Sequence, residues 1–125
     1  MAVILVIDDS NLARGAIRKI LAPEGYNIIE ASDGEEGMRM ISKDSADCIL
    51  LDLLMPGMSG TEILTQLHTT GFNTPIIIIT ADIQDSVRGK CLELGAFAVI
   101  NKPLLFETLA DTVKKAMLNR AEKSK

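Results

Sequence analysis

The residues that most often bind zinc are scarce in this sequence. Its 125 residues include two cysteines and one histidine. Cys48 and Cys91 are far apart and have no nearby cysteine or histidine to complete a metal site, and His68 lies late in an amphipathic segment. We therefore expect no zinc site, two cysteines in the core and a histidine on the surface.

The sequence also lacks an excess of positive charge and long apolar runs. Thirteen Lys and Arg residues against seventeen Asp and Glu give a net charge of -4, which disfavours direct binding to nucleic acid. The longest apolar runs, such as AVILVI at 2–7, are far shorter than the roughly 20 residues of a membrane span. That first run also has no basic lead or cleavage site of a signal peptide. The sequence thus predicts no membrane insertion and a cytoplasmic location.

What the chain does contain is typical of one globular domain. Its residues are 47% apolar and 24% charged. Short runs rich in valine and isoleucine are continuous rather than alternating, which predicts strands covered on both faces. The predicted strands are 3–7, 26–31, 48–51, 76–79 and 96–100.

Segments with helical spacing separate the predicted strands, and each has an apolar stripe that should pack on the sheet. The stripes are Leu12, Ala16, Ile17, Ile20 and Leu21; Gly37, Met38 and Ile41; Ile63, Leu64 and Leu67; Val87, Cys91 and Leu94; and Leu105, Leu109, Val113, Ala116 and Met117. Helix boundaries are indicated by a capping box at Ser59–Glu62, by Asp33 and Asp82 as N-caps, and by Gly25, Gly71 and Gly95 at the ends.

The regular alternation of strand and helix predicts an α/β fold with a five-stranded parallel sheet. Right-handed crossovers place helices on both faces, so the sheet is doubly wound. Five strand–helix units suit the flavodoxin-like (βα)5 arrangement with strand order 2-1-3-4-5, which is known for this class of fold.

Polar residues close four of the predicted strands. Strand one ends in Asp8 and Asp9, strand three in Asp52, strand four in Thr80 and strand five in the segment 101–103, Asn-Lys-Pro. Each alone is also explained as a turn, cap or strand residue. Because ligands bind beyond the carboxyl ends of the strands in open α/β sheets, the grouping predicts a site there.

Three converging carboxylates raise one another's pKa unless a cation lies among them. A site with few protein oxygen ligands suits hydrated Mg²⁺. Lys102 adds a further positive charge, so the site has capacity for an anion. A phosphoryl group fits this requirement, with Asp52 as the attacking carboxylate and with Mg²⁺, Lys102 and the Thr80 hydroxyl each contacting one phosphoryl oxygen.

Four segments carry a family resemblance: VIDDS at 6–10, LLDLLMPGMSG at 50–60, IIITA at 77–81 and INKP at 100–103. In this order and spacing they resemble the signatures of the response-regulator receiver domain of two-component signalling, including its stand-alone chemotaxis regulators. The resemblance covers essentially the whole chain.

The resemblance implies specific roles for the residues at the strand ends. Asp52 would accept a phosphoryl group from a phosphohistidine on a sensor histidine kinase or phosphotransfer protein. Asp8, Asp9 and Asp52 would bind Mg²⁺ with the backbone carbonyl of Leu54. Thr80 would be the switch hydroxyl, which moves toward the phosphoryl group, and Lys102 would pair with that group.

The sequence departs from the family pattern near the switch. Receiver domains often carry an aromatic residue three positions before the lysine, where this chain has Val99. We expect Phe97 to lie on the same side of the strand, where it is either a substitute for the aromatic residue or a packing residue. Leu54 and Asp82 occupy positions that tune the lifetime of the phosphorylated state in the family, and that lifetime does not follow from the sequence.

Three other functions are alternatives to a phosphorylated receiver. A hydrolase with an aspartyl nucleophile would need an Asp-x-Asp loop after strand one, and this loop reads Asp8-Asp9-Ser10. A flavin carrier would need a phosphate loop and aromatic residues there, and the two carboxylates would repel the phosphate. A degenerate receiver that docks partners without phosphorylation is the remaining alternative. We therefore expect no enzyme activity beyond self-catalysed phosphotransfer and slow self-dephosphorylation.

The predicted receiver domain covers residues 1–121, and 122–125 is predicted to be a charged tail or linker stub. A final helix leaves no room for an output domain, so the chain is either a stand-alone regulator or the receiver of a longer protein.

By resemblance, a downstream protein would dock on the fourth helix, fifth strand and fifth helix, and we expect a monomer or a phosphorylation-dependent dimer. The first helix, with its segment SNLARGAIRKIL, is a candidate for contact with the phosphodonor. Candidate docking residues are Arg88, Lys90, Phe97 and Glu107.

Overall fold

Strands and helices alternate along the chain, as the sequence predicted. The structure, a computed structural model, describes residues 1–123, with side chains described through residue 120. In order the elements are β1 (Val3–Ile7), α1 (Asn11–Leu21), a short 3-10 helix (Ala22–Glu24), β2 (Asn27–Ala31), α2 (Gly34–Lys43), β3 (Cys48–Asp52), α3 (Gly60–Thr69), β4 (Ile76–Thr80), α4 (Asp85–Glu93), β5 (Ala98–Asn101) and α5 (Phe106–Lys123). Helix α5 includes residues 122 and 123 of the predicted tail, and the rest of that tail lies outside the described residues.

The strands form one parallel sheet in the order β2-β1-β3-β4-β5. This order confirms the predicted doubly wound, flavodoxin-like α/β fold. Apolar side chains of α2, α3 and α4 pack on one face of the sheet, and those of α1 and α5 pack on the other. Because both faces are covered, β3 and β4 are buried at every position, which explains their continuous apolar sequence.

The strand ends differ slightly from the prediction. β2 begins at residue 27, β3 and β4 each run one residue further to include Asp52 and Thr80, and β5 covers Ala98–Asn101. The start of β5 is displaced because the Ala96 amide donates to the carbonyl of Cys91 at 3.0 Å. At Ala96, where the predicted strand begins, the main chain is therefore still hydrogen-bonded to α4.

The helix caps confirm most of the boundary signals. The amide of Glu36 donates to Asp33 Oδ1 at 2.8 Å, and that of Glu62 donates to Ser59 Oγ at 3.2 Å. The prediction of Asp82 as the N-cap of α4 is wrong, because Gln84 occupies that position. Asp82 Oδ1 instead accepts from the Gln84 amide at 3.1 Å, a local turn that competes with capping. The three terminating glycines Gly25, Gly71 and Gly95 all have positive φ.

Three residues of the predicted apolar stripes lie on the surface instead of the core, namely Leu12, Ala16 and Leu105. Leu12 is 86% exposed and Leu105 is 65% exposed, because both stand at the carboxyl edge of the sheet, beyond the layer that the helices cover. Cys48 and Cys91 are buried and His68 is exposed, as predicted. Among the described residues, no helix is both long and apolar enough to cross a membrane.

Candidate functional site

The sheet brings the predicted site residues to its carboxyl edge. Asp52 is the last residue of β3 and Thr80 is the last residue of β4, and both are buried. Asp8 and Asp9 follow β1 directly. The amide of Lys102, just after β5, donates to the Thr80 carbonyl at 2.9 Å. Parallel pairing of these strands therefore places their terminal side chains side by side.

The three aspartates form a compact acidic cluster. Carboxylate oxygens of Asp8, Asp9 and Asp52 lie within 4.8 Å of one another. Asp8 and Asp52 are buried and Asp9 is exposed. Burial, with the Asp8 carboxylate as the second cause, raises the pKa of Asp52, and the Leu54 amide and Lys102 oppose this rise. The cluster thus carries an electrostatic cost that a bound cation would relieve.

Lys102 provides one positive charge to this cluster. Its Nζ lies 3.2 Å from Asp8 Oδ2 and 3.7 Å from Asp52 Oδ2. One ammonium among three carboxylates leaves an excess of negative charge, and all the donors are oxygen atoms. This donor set fits a hard divalent cation such as Mg²⁺ and does not fit zinc.

The backbone around Asp52 is held in place by α3. A Cβ atom on Gly60 would lie 2.2 Å from the Asp52 carbonyl oxygen and 2.7 Å from Leu53 Cα, so only glycine allows α3 to begin this close to β3. The Leu54 amide donates to Asp52 Oδ1 at 3.2 Å. Asp52 is therefore fixed from both its main chain and its side chain.

The Thr80 hydroxyl connects the site to the loop that precedes α4. Thr80 Oγ1 accepts from the Asp82 amide at 3.1 Å. The Asp82 carbonyl in turn accepts from Asn101 Nδ2, also at 3.1 Å. Hydrogen bonds thus join the end of β4, the β4–α4 loop and the end of β5.

The position of Phe97 differs from the prediction. Val99 is buried on the sheet face covered by α2, α3 and α4, whereas Phe97 precedes β5 and packs against the cluster on the opposite face. The expectation that both lie on the same side is wrong because the strand alternation begins only after Phe97. The Val99 carbonyl accepts from Arg88 Nη1 at 2.9 Å.

Sequence reasoning missed two residues of this region, Gly60 as a close-approach residue and Arg14. Arg14 Nη1 donates to the carbonyl oxygen of Asp8 at 2.5 Å. A signal for Arg14 was present: Arg14 and Arg18 are one helical turn apart, and Glu30 is a lone carboxylate in the apolar run of β2.

Comparisons with known proteins agree on one family. The model of the response regulator receiver domain matches residues 4–114. The response regulator MprA of Mycobacterium leprae is 35% identical over 119 residues, which are 95% of this chain and 52% of the relative. MprA of Mycobacterium tuberculosis is 37% identical, over 95% of this chain and 51% of the relative. The chain thus spans about half the length of these curated relatives.

Solved structures give the same answer. The chemotaxis protein CheY4 of Vibrio cholerae superposes with a TM-score of 0.85 at 30% identity, over 93% of this chain and 98% of that one. A CheY-like receiver domain protein of Methanospirillum hungatei gives a TM-score of 0.92 at 27% identity, over 98% of each chain. With the family model covering most of its length, the chain belongs to the response regulator receiver domain family, whose members are two-component signalling modules rather than enzymes.

Proposed function

We propose that the protein is a phosphorylation-dependent receiver in which Asp52 accepts a phosphoryl group from a phosphohistidine. The donor would be a sensor histidine kinase or a phosphotransfer protein. The observation that carries this proposal is the buried Asp52 carboxylate at the end of a central strand, 3.7 Å from Lys102 Nζ and beside two further aspartates. The proposed receiver domain covers residues 1–121, and the proposed location of the protein is the cytoplasm.

Mg²⁺ is the proposed cofactor. Asp8, Asp9 and Asp52 would hold it with the backbone carbonyl of Leu54, since carboxylate and carbonyl oxygens are the ligands that this ion prefers. When bound, Mg²⁺ supplies positive charge to the phosphoryl oxygens and aligns them.

The protein's own residues account for the transfer. An Asp52 carboxylate oxygen attacks phosphorus, the bond from phosphorus to the imidazole nitrogen breaks, and the imidazole takes the electron pair. Lys102 exchanges part of its contact with the carboxylates for a phosphoryl oxygen. Thr80 Oγ1 accepts from the Asp82 amide, so its hydroxyl hydrogen is available for a phosphoryl oxygen. Further chemistry is limited to slow hydrolysis of the acyl phosphate.

The switch would proceed through the hydrogen bonds of the β4–α4 loop. A movement of Thr80 toward the phosphoryl group pulls on the Asp82 amide, and Asp82 is bonded to both Gln84 and Asn101. The local charge change thus biases the start of α4 and the end of β5.

The face formed by α4, β5 and α5 is the proposed docking surface for the downstream protein. It contains a shallow groove of about 310 Å³ whose lining includes Arg88, Val99 and Leu105. Arg88, Lys90 and Glu107 are exposed there, and Phe97 is partly buried in the core cluster. The same face would serve a phosphorylation-dependent dimer, with a monomer as the other state.

The phosphodonor would dock at the carboxyl edge of the sheet, on a donor rim of exposed apolar side chains; Leu105 of this rim also lines the groove described above. These side chains lie at the starts of α1 and α5, in the loops after β3 and β4, and between β5 and α5, and each is at least half exposed. The donor rim consists of Leu12, Leu54, Ile83, Leu105 and Phe106.

Intact mass spectrometry tests the proposal directly. Incubation with a small acyl or amido phosphodonor and Mg²⁺ should add one phosphoryl group. The gain should disappear in Asp52→Asn and when the metal is chelated. A native protein that gains no mass under these conditions would contradict the proposal and favour a degenerate receiver that docks without phosphorylation.

A further inference from the structure

We propose that Arg14 is a positioning residue that fixes the peptide plane between Asp8 and Asp9. This inference rests on the proposed function, because the two carboxylates are its proposed metal ligands. Arg14 Nη1 donates to the Asp8 carbonyl oxygen at 2.5 Å. That carbonyl belongs to the same rigid peptide unit as the Asp9 amide, so its orientation determines where the Asp9 side chain begins.

Arg14 is itself held in a defined position. Its side chain is 11% exposed, and its Nε donates to Glu30 Oε1 at 3.1 Å. Nη2 of the same guanidinium donates to Asn11 Oδ1. A planar guanidinium presents donors on three separate nitrogens in fixed directions, so it can hold acceptors on three different segments, whereas all the donors of a lysine lie on one nitrogen. Arg14 thus links α1, β2 and the loop after β1.

Other hydrogen bonds hold the amide and the side chain of Asp8, and Arg14 holds its carbonyl. The Asp8 amide donates to the Ala31 carbonyl at 3.1 Å, and Asp8 Oδ1 accepts from the Ser10 amide at 2.9 Å. Asp8 Oδ2 accepts from Lys102. These bonds hold the Asp8 amide, the Asp8 side chain and the Ser10 amide, so the chain is anchored on either side of the Asp8–Asp9 peptide, and Arg14 contacts the carbonyl of that peptide itself. Asp9 is exposed, and the position of its side chain depends on the orientation of this peptide.

Arg18 offers a matched control on the same helix. Its Nε and Nη2 donate to Glu30 Oε2 at 2.8 Å and 2.6 Å. Arg18 therefore shares the Glu30 carboxylate with Arg14, but among the described residues its hydrogen bonds go to Glu30, and its side chain is 52% exposed. Loss of Arg18 removes a cation and a bond to Glu30 while the bond to the Asp8 carbonyl stays.

The test combines a metal-free and a metal-dependent measurement on the full chain. In the metal-free protein, ¹⁵N relaxation of the Asp9 amide reports the order of the peptide plane directly. We expect an order parameter of about 0.85 in the native protein and in Arg18→Met, falling toward about 0.6 in Arg14→Met. Calorimetric titration with MgCl₂ should show binding weakened about tenfold in Arg14→Met and by less than about twofold in Arg18→Met.

Two further variants keep the inference testable if Arg14→Met folds poorly. Arg14→Lys retains a single donor nitrogen and should give intermediate values in both measurements. Glu30→Gln keeps Arg14 but weakens its hold, and should lower the Asp9 order parameter in part. An unchanged Asp9 order parameter in the folded Arg14 variants, or an equal loss in Arg18→Met, would overturn the inference.

The relaxation measurement also separates this inference from the proposed function. If the native protein neither binds Mg²⁺ nor gains a phosphoryl group, the proposed function fails. The metal-free order of the Asp9 amide then still decides the role of Arg14.

Discussion

At the scale of single residues, Asp52 shows how a carboxylate is kept at the end of an apolar strand. Its Oδ1 accepts from the Leu54 amide, and its Oδ2 lies 3.7 Å from Lys102 Nζ. Burial and the Asp8 carboxylate nevertheless raise its pKa. The repulsion between carboxylates in the metal-free site therefore favours the binding of a cation.

This raised pKa predicts a pH-dependent stability. Between the unfolded pKa of about 3.8 and the higher folded pKa, the folded state binds more protons, so stability falls as pH rises through this window. The destabilisation caused by the charge of Asp52 is fully present above the folded pKa and absent below the unfolded pKa. Asp52→Asn removes the charge and should raise the metal-free Tm at pH 7 by a few degrees, with little effect at pH 3.

Thermal unfolding with and without MgCl₂ checks this prediction. Mg²⁺ should stabilise the native protein at pH 7 and stabilise Asp52→Asn less. Asp85→Asn, at the exposed start of α4, is the control for removal of a negative charge. A metal-free Asp52→Asn variant that is less stable than the native protein at pH 7 would contradict the expected sign.

At the scale of secondary structure elements, the sequence predicted the strands well because burial on both faces leaves a continuous apolar run. The prediction failed where local contacts decide. Asp82 bonds to Gln84 and does not cap α4, and Leu12 and Leu105 follow helical spacing but extend past the sheet edge. The apolar periodicity of a helix predicts which of its faces packs on the sheet, but it does not predict how far along the helix that packing extends.

The junction of β3 and α3 allows a sharp test of element packing. Gly60→Ala would place a Cβ atom 2.2 Å from the Asp52 carbonyl oxygen, and a backbone atom in the central strand has little room to move. We expect a loss of about 2 kcal/mol or more and slower phosphorylation of Asp52. Urea unfolding and intact mass after a fixed incubation measure the two effects.

Gly89→Ala is the matched control for this substitution. Gly89 lies inside α4, and a Cβ atom there meets nothing within 4 Å. Because alanine favours the helix, this variant should gain about 0.5 to 1 kcal/mol. Equal stability of the Gly60→Ala and Gly89→Ala proteins would show that the close approach of α3 to β3 is not required.

At the scale of the whole molecule, the site arises from topology. Residues 8, 52, 80 and 102 are distant in sequence, and the parallel sheet places their strand ends at one edge. Their grouping was predictable because each polar residue closes an apolar run. The pairing of Arg14 with Glu30 left a signal in the sequence, but the bond from Arg14 to the Asp8 carbonyl did not, because it involves a main-chain atom. The side of Phe97 was missed because it depends on where β5 begins.

The same connectivity predicts how a change at the site reaches the face formed by α4, β5 and α5. Thr80→Val keeps the side-chain shape and removes the hydroxyl that accepts from the Asp82 amide. Because Asp52 and Lys102 remain, the variant should still gain a phosphoryl group. Amide chemical shifts of α4 and β5, which move on phosphorylation of the native protein, should then change at least about twofold less, since the bond to the loop is missing. Thr65→Val, which removes a hydroxyl that donates to the Thr61 carbonyl within α3, should respond like the native protein. If phosphorylated Thr80→Val shows the full native shifts in α4 and β5, the signal travels by a route other than the Thr80–Asp82 bond.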